Sequence, residues 1–127
     1  MRIHSFEDVK SWQYAKELTL LIYKNFEKNK DWGFKDQIQR ASVSIMNNIA
    51  EGFDRNSDRE KIYFLNVAKG SSSEVKSMLY IAKELEYIDF NDIMSDKKKD
   101  GVDVITQQLK DLSNKVLELH KKGIPLT

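Results

Sequence analysis

Residues 34–55 read FKDQIQRASVSIMNNIAEGFDR and residues 57–87 read SDREKIYFLNVAKGSSSEVKSMLYIAKELEY. In the first stretch Ile38, Ala41, Ile45, Ile49 and Gly52 recur at steps of three and four, the period of one helix face. Val43, Met46, Ala50 and Phe53 form a second apolar stripe, so this helix is expected to be covered over most of its circumference. What remains polar is a narrow edge of Arg40, Ser44, Asn47, Glu51 and Arg55. Glu51 and Arg55 stand four apart with the acid first, the favourable order for an ion pair along a helix. The spacing predicts a helix over 34–54.

The second stretch opens with Ser57-Asp58-Arg59-Glu60, a capping box in which the Ser57 hydroxyl meets the backbone N–H three residues on. Phe64, Val67, Ser71, Met78, Ile81 and Leu85 form one seam behind it. Leu65, Ala68, Ser72, Val75, Leu79 and Ala82 form a neighbouring one. Gly70-Ser71-Ser72-Ser73 interrupts the apolar pattern, but the periodicity keeps its phase across it. One continuous helix over 58–87 follows, about 45 Å long at 1.5 Å per residue, with the small residues admitting a close neighbour.

Working outward, Ser5 and Asp8 suggest a cap for a first helix over 6–28. Its stripe is Val9, Trp12, Ala15, Thr19, Ile22 and Phe26, widened by Leu18 and Leu21, and it breaks at Asn29-Lys30-Asp31-Trp32-Gly33. On the far side, Val102, Ile105, Leu109, Leu112, Val116 and Leu119 form a clean heptad, and a fourth helix is expected over 90–121, with a turn at 97–101 as the alternative start. With 127 residues, 40% of them hydrophobic, there is material for one core in one domain. Long helices with short connections predict an all-α, antiparallel up-and-down four-helix bundle.

Composition removes several function classes. The chain has no cysteine, which excludes thiol catalysis, iron–sulfur clusters and zinc knuckles. A formal net charge of +1 argues against a protein that coats DNA or a polybasic membrane binder, though not against a local basic patch. No segment approaches the roughly 20 apolar residues that span a bilayer, and no signal-peptide-like run opens the chain, so no membrane partner and a cytoplasmic location are expected. His4 and His120 lie at opposite ends of the chain and no Glu-x-x-His pair occurs, so no metal or other cofactor is expected. The Gly70–Ser73 run lacks the spacing of a phosphate loop. Glu51, Glu60 and Glu74 have structural readings as an ion-pair partner, a cap partner and a polar contact toward Arg40 or Asn48. No catalytic residues are assigned, and the chain is expected not to be an enzyme.

Gln37-Ile38-Gln39-Arg40-Ala41-Ser42-Val43-Ser44-Ile45, then Asn48-Ile49-Ala50-Glu51-Gly52, are followed by Arg55, Ser57, Glu60, Phe64-Leu65, Ala68, Gly70-Ser71 and Glu74. Together with Trp12, Ala15, Leu18 and Ile22-Tyr23, this order resembles the bacterial four-helix-bundle family first noticed in intervening sequences of 23S ribosomal RNA genes. The resemblance runs from Phe6 to about Ile88 and weakens beyond. This chain departs from the family where Met46 replaces a frequent proline and Glu86 a frequent glycine. The resemblance implies an antiparallel bundle and a ring-like homopentamer, and supplies no reaction. A related accessory protein of diversity-generating retroelements binds nucleic acid and a reverse transcriptase, which implies nucleic-acid scaffolding by analogy.

The candidates for an RNA or DNA contact are Arg55, Arg59, Lys61 and Lys69, near one end of the second and third helices, together with Arg40. Lys97-Lys98-Lys99 and Lys121-Lys122 are separate basic clusters. Arg40, Asn48, Glu51, Arg55 and Glu74 are expected to form a structural polar network between helices or subunits. The chain also carries more apolar surface than one small bundle hides, since Leu20, Tyr23, Tyr14, Tyr63 and Tyr80 lie off the main seams. A homo-oligomer follows from that surplus; the number five comes from the resemblance alone. The leading expectation is a non-enzymatic, self-assembling module that binds nucleic acid or a nucleic-acid enzyme. A purely protein-binding scaffold is the alternative.

Overall fold

The computed structural model of the protein describes residues 5–88. Among these residues there are three α-helices, α1 (Lys10–Phe26), α2 (Trp32–Asp54) and α3 (Asp58–Glu84), preceded by a single 3-10 turn at Phe6–Asp8. No strand occurs among them. The expected fourth helix over 90–121 lies outside the described residues, as do His4, His120 and the Lys97–Lys99 and Lys121–Lys122 clusters. Connections at 27–31 and 55–57 fold each helix back on its predecessor, and α2 is the central element, packed along both α1 and α3.

The first helix starts later than the capping pattern suggests. The Ser5 hydroxyl bonds the Glu7 carboxylate and not a backbone N–H, and Val9 is extended (φ −80°, ψ 121°), so α1 begins at Lys10. Gln13 Nε2 donates 2.7 Å to the Glu7 carbonyl, and the Phe6 ring meets Trp12 edge-on with centroids 5.1 Å apart. The second helix starts earlier than expected, at Trp32, because an Asp31 carboxylate oxygen accepts from the Phe34 N–H at 3.3 Å and caps it. The Ser57 cap is as expected, its Oγ accepting from the Glu60 N–H at 3.2 Å.

The third helix runs unbroken through Gly70–Ser73 but ends at Glu84, three residues short of the expected end. Its exit is a Schellman motif: Tyr87 N–H reaches the Ala82 carbonyl at 2.8 Å and Glu86 N–H reaches Lys83 at 3.0 Å. That geometry puts Glu86 in the left-handed region at φ 59°.

The core separates the paired stripes. Ile38, Ala41, Ile45 and Ile49 of α2 are buried, as are Leu65, Ala68, Val75, Leu79 and Ala82 of α3 and Ala15, Leu18, Ile22 and Phe26 of α1. The second α2 stripe is half-buried. The other α3 seam is mixed: Met78 is buried and Phe64 and Ser71 are half-buried, whereas Ile81 is 50% and Leu85 51% exposed. At the α2–α3 crossing a Cβ on Gly52 would stand 3.2 Å from Phe64 Cβ, so the absent side chain sets how closely these helices approach. Further along, the Ser44 and Ser71 hydroxyls meet at 2.8 Å and Ser42 and Ser72 are fully buried. Between α1 and α2, the Thr19 hydroxyl donates to the Ala15 and Ser42 carbonyls at 2.8 and 3.2 Å.

Candidate nucleic-acid interface

Two of the expected contact residues lie together at the turn between α2 and α3. Arg55 is the C-cap of α2, and Arg59 is the second residue of α3. The Arg55 guanidinium sits 4.7 Å over the Phe64 ring while one of its nitrogens donates 2.9 Å to Glu51. Contact with the ring and the acid fixes a long side chain that would otherwise sample many rotamers. Arg59 is exposed.

Lys61 occupies a different environment. It is only 7% exposed, its Nζ donating 3.1 Å to the Phe53 carbonyl and lying 5.8 Å from the Phe53 ring. The ammonium therefore satisfies a carbonyl at the C-terminus of α2, where the helix dipole favours a cation. Lys61 stands four residues before Leu65 and heads the buried Leu65–Ala68–Ser72 seam, a phase that the charge obscures in the sequence. Lys69 is half-buried and about 15 Å further along α3 than Arg59 at 1.5 Å per residue, so it is not part of the turn.

The five expected network residues divide into separate local contacts. Arg40 pairs with Asp36 at 2.9 Å, its side chain 80% exposed, and Arg55 pairs with Glu51 on the same outer edge. Exposed pairs four apart on a helix contribute about 0.3–0.5 kcal/mol. Asn48 Nδ2 donates to the Ser44 carbonyl and hydroxyl at 2.8 and 3.0 Å, joining the Ser44–Ser71 contact across to α3. Glu74 accepts from Gln37 Nε2 at 3.3 Å and meets neither Arg40 nor Asn48. Serines and Gln37 thus carry the inter-helix polar contacts that the charged residues were expected to make.

On the outer side of α2 an open depression of about 400 Å³ is lined by Tyr23, Arg40, Val43, Ser44, Asn47 and Asn48. At the other end of α2 from Arg55, its first residue Trp32 is 68% exposed. The break expected at Asn29–Gly33 ends at Asp31, and the aromatic between Lys30 and Lys35 belongs to the first turn of α2. Among the described residues no cluster of three or more His, Cys, Asp or Glu side chains is placed to hold a metal. None of the described helices is long and apolar enough to cross a membrane.

With this geometry in view, the 23S rRNA-intervening sequence protein family matches residues 7–122, nearly the whole chain. The chain belongs to this family. No curated protein matches it. Within the matched residues of this 23S rRNA-intervening sequence family member, the Asn48–Gly52 run has local structural uses: Ile49 and Gly52 are buried, Asn48 links to Ser44, and Glu51 holds Arg55.

Proposed function

We propose that this member of the family is a non-enzymatic, self-assembling platform for RNA or DNA, or for an enzyme that works on them. In this reading residues 90–121 supply a fourth helix, whose one-sided heptad suits the remaining face of an antiparallel bundle. The bundles join into a cytoplasmic homopentamer. The observation that carries the nucleic-acid reading is the Arg55–Arg59 turn. There a guanidinium held by Phe64 and Glu51 stands beside an exposed one at the junction of two helices. Guanidinium groups so placed reach phosphates without desolvating a core, and repetition around a ring multiplies a modest patch.

The test is titration of labelled single-stranded and duplex RNA and DNA across a salt series, with wild type and an Arg55→Gln/Arg59→Gln variant. Phosphate contacts make log affinity fall with log salt by about 0.7–0.9 per neutralised phosphate. The double variant is expected to weaken binding to all sequences and to flatten that slope by about 1–2 per subunit. Absence of wild-type binding at low salt ends the reading. A purely protein-binding scaffold is the second reading, favoured by the exposed Tyr63, Val67, Ile81 and Leu85 of α3. It predicts binding that barely responds to salt.

A further inference from the structure

Trp32 is the most exposed of the large hydrophobic side chains that lie open, at 68%, and it is the first residue of α2, directly after the α1–α2 connection and outside any apolar seam. Leaving an indole in water forgoes burial of one of the largest apolar surfaces a side chain offers. Its position is fixed on two sides. Asp31 caps α2 immediately before it, and Lys35 lies with Nζ 4.8 Å over the indole while donating 2.9 Å to the Glu27 carbonyl. The ring is thus tethered from one face, and most of its surface stays open. Lys28 and Lys30 stand exposed in the connection just before it. The nearest acids are largely engaged: Asp31 with Phe34 N–H and the Tyr87 hydroxyl, Asp36 with Arg40. Glu27 is the remaining carboxylate.

We infer that the junction of α1 and α2 is a stacking site for an unpaired nucleotide of single-stranded nucleic acid, with Trp32 at the start of α2 taking the base and Lys28 and Lys30 in the connection the flanking phosphates. An exposed tryptophan is also the residue most used to anchor protein partners, but the cores of such interfaces are depleted in lysine. A flat aromatic face beside unpaired ammonium groups matches a base and its backbone instead. This site goes beyond the Arg55–Arg59 turn, which lies about 35 Å away along the 23 residues of α2, and it rests on the nucleic-acid reading.

The experiment follows labelled oligoadenylate and oligodeoxyadenylate by anisotropy, with duplexes of matching length as the control. Tryptophan emission is read in a Trp12→Phe background, where Trp32 is the one remaining indole of the two in the chain. Single strands are expected to quench Trp32 and duplexes to leave it unchanged. Trp32→Ala is expected to weaken single-strand binding roughly five- to hundredfold, the range for loss of one stacked base, and Trp32→Phe to restore most of it. Lys28→Gln/Lys30→Gln is expected to lower the salt slope. Because Trp32 is so exposed, circular dichroism and the melting temperature of Trp32→Ala should stay near wild type. Binding with no quenching and with unchanged affinity in Trp32→Ala overturns this site while leaving the nucleic-acid reading intact. A change in oligomeric mass in Trp32→Ala with unchanged affinity assigns the residue to a subunit contact and overturns it too. No binding of any oligonucleotide at low salt overturns both. The ribo and deoxyribo arms tell which backbone the site accepts.

Discussion

The Tyr87 hydroxyl donates a 2.8 Å hydrogen bond to Oδ2 of Asp31, fastening the exit of α3 to the cap of α2. The same Asp31 carboxylate accepts from the Phe34 N–H, and the Phe34 ring meets Tyr87 edge-on at 5.5 Å. One acid therefore closes a helix and holds the far end of another. The hydrogen bond to Asp31 raises the Tyr87 pKa above the usual phenol value of 10.0, with desolvation and the Asp31 charge adding in the same direction. A raised folded-state pKa means that the clasp is fully present below the unfolded pKa and is lost as pH climbs through the folded one. Thermal stability is therefore expected to fall on going above about pH 10, more steeply in wild type than in Tyr87→Phe. Melting curves from pH 8 upward check this, and parallel wild-type and variant profiles would refute it.

Glu86 holds φ 59° at the αL position of the Schellman motif, a conformation that costs an L-residue roughly 1–2 kcal/mol and glycine almost nothing. Glycine gives back part of the gain through its greater freedom in the unfolded chain. Glu86→Gly is therefore expected to stabilise the protein by about 0.5–1 kcal/mol, read as a higher denaturant midpoint at unchanged slope. A lower midpoint would show that Glu86 makes compensating contacts.

Much of this architecture was legible in the sequence, and the failures have physical causes. Ile38–Gly52 and Leu65–Ala82 announced their burial because apolar residues in helical phase have few other uses. Lys61 did not, because a charge hides a seam position that an aliphatic stem and one carbonyl make habitable. The helix ends were blurred where competing side-chain bonds decided them, as at Ser5 and Asp31. Two stripes per helix were visible, but which one faces the core depends on the neighbour, and periodicity does not name it. The contacts of the expected network residues within one chain have a related reason. Charged residues on one helix edge pair with their own i+4 neighbours before reaching across, whereas Ser44 and Ser71 are short enough to meet only where backbones are close.

That close approach makes opposite predictions for two glycines. At Gly52 an added methyl meets Phe64 Cβ at 3.2 Å and the Lys61 carbonyl at 3.4 Å, whereas at Gly70 nothing lies within 4 Å. Alanine is favoured over glycine inside a helix by about 1 kcal/mol. Gly70→Ala is thus expected to stabilise by up to about that amount. Gly52→Ala loses the same advantage to overpacking and should destabilise by about 1–2 kcal/mol. Chemical denaturation of the two variants side by side decides it; equal shifts would mean that α2 and α3 separate freely to admit the methyl.

The outer face of α3 carries the prediction about assembly. Tyr63 is 62%, Val67 36%, Ile81 50% and Leu85 51% exposed. At 3.6 residues per turn these four side chains fall within about 40° of one another, two apolar pairs on one helix face with Gly70 and Glu74 between them. Leu20 at 55% and Tyr23 at 45% add an exposed apolar pair on α1. Several exposed apolar pairs of this kind are more than a soluble monomer commonly leaves in water, and covering them contributes about 25 cal/mol per Å². Light scattering across a size-exclusion peak is expected to give about five times the 14.9 kDa chain mass, and Ile81→Glu/Leu85→Glu to lower that mass while leaving helical content unchanged. The double variant touches no buried position, so a loss of helicity would point to a role inside the subunit instead. Another multiple of the chain mass retains self-assembly and discards five. A wild-type monomer at micromolar concentration discards both, and it would leave the α3 face to a partner protein.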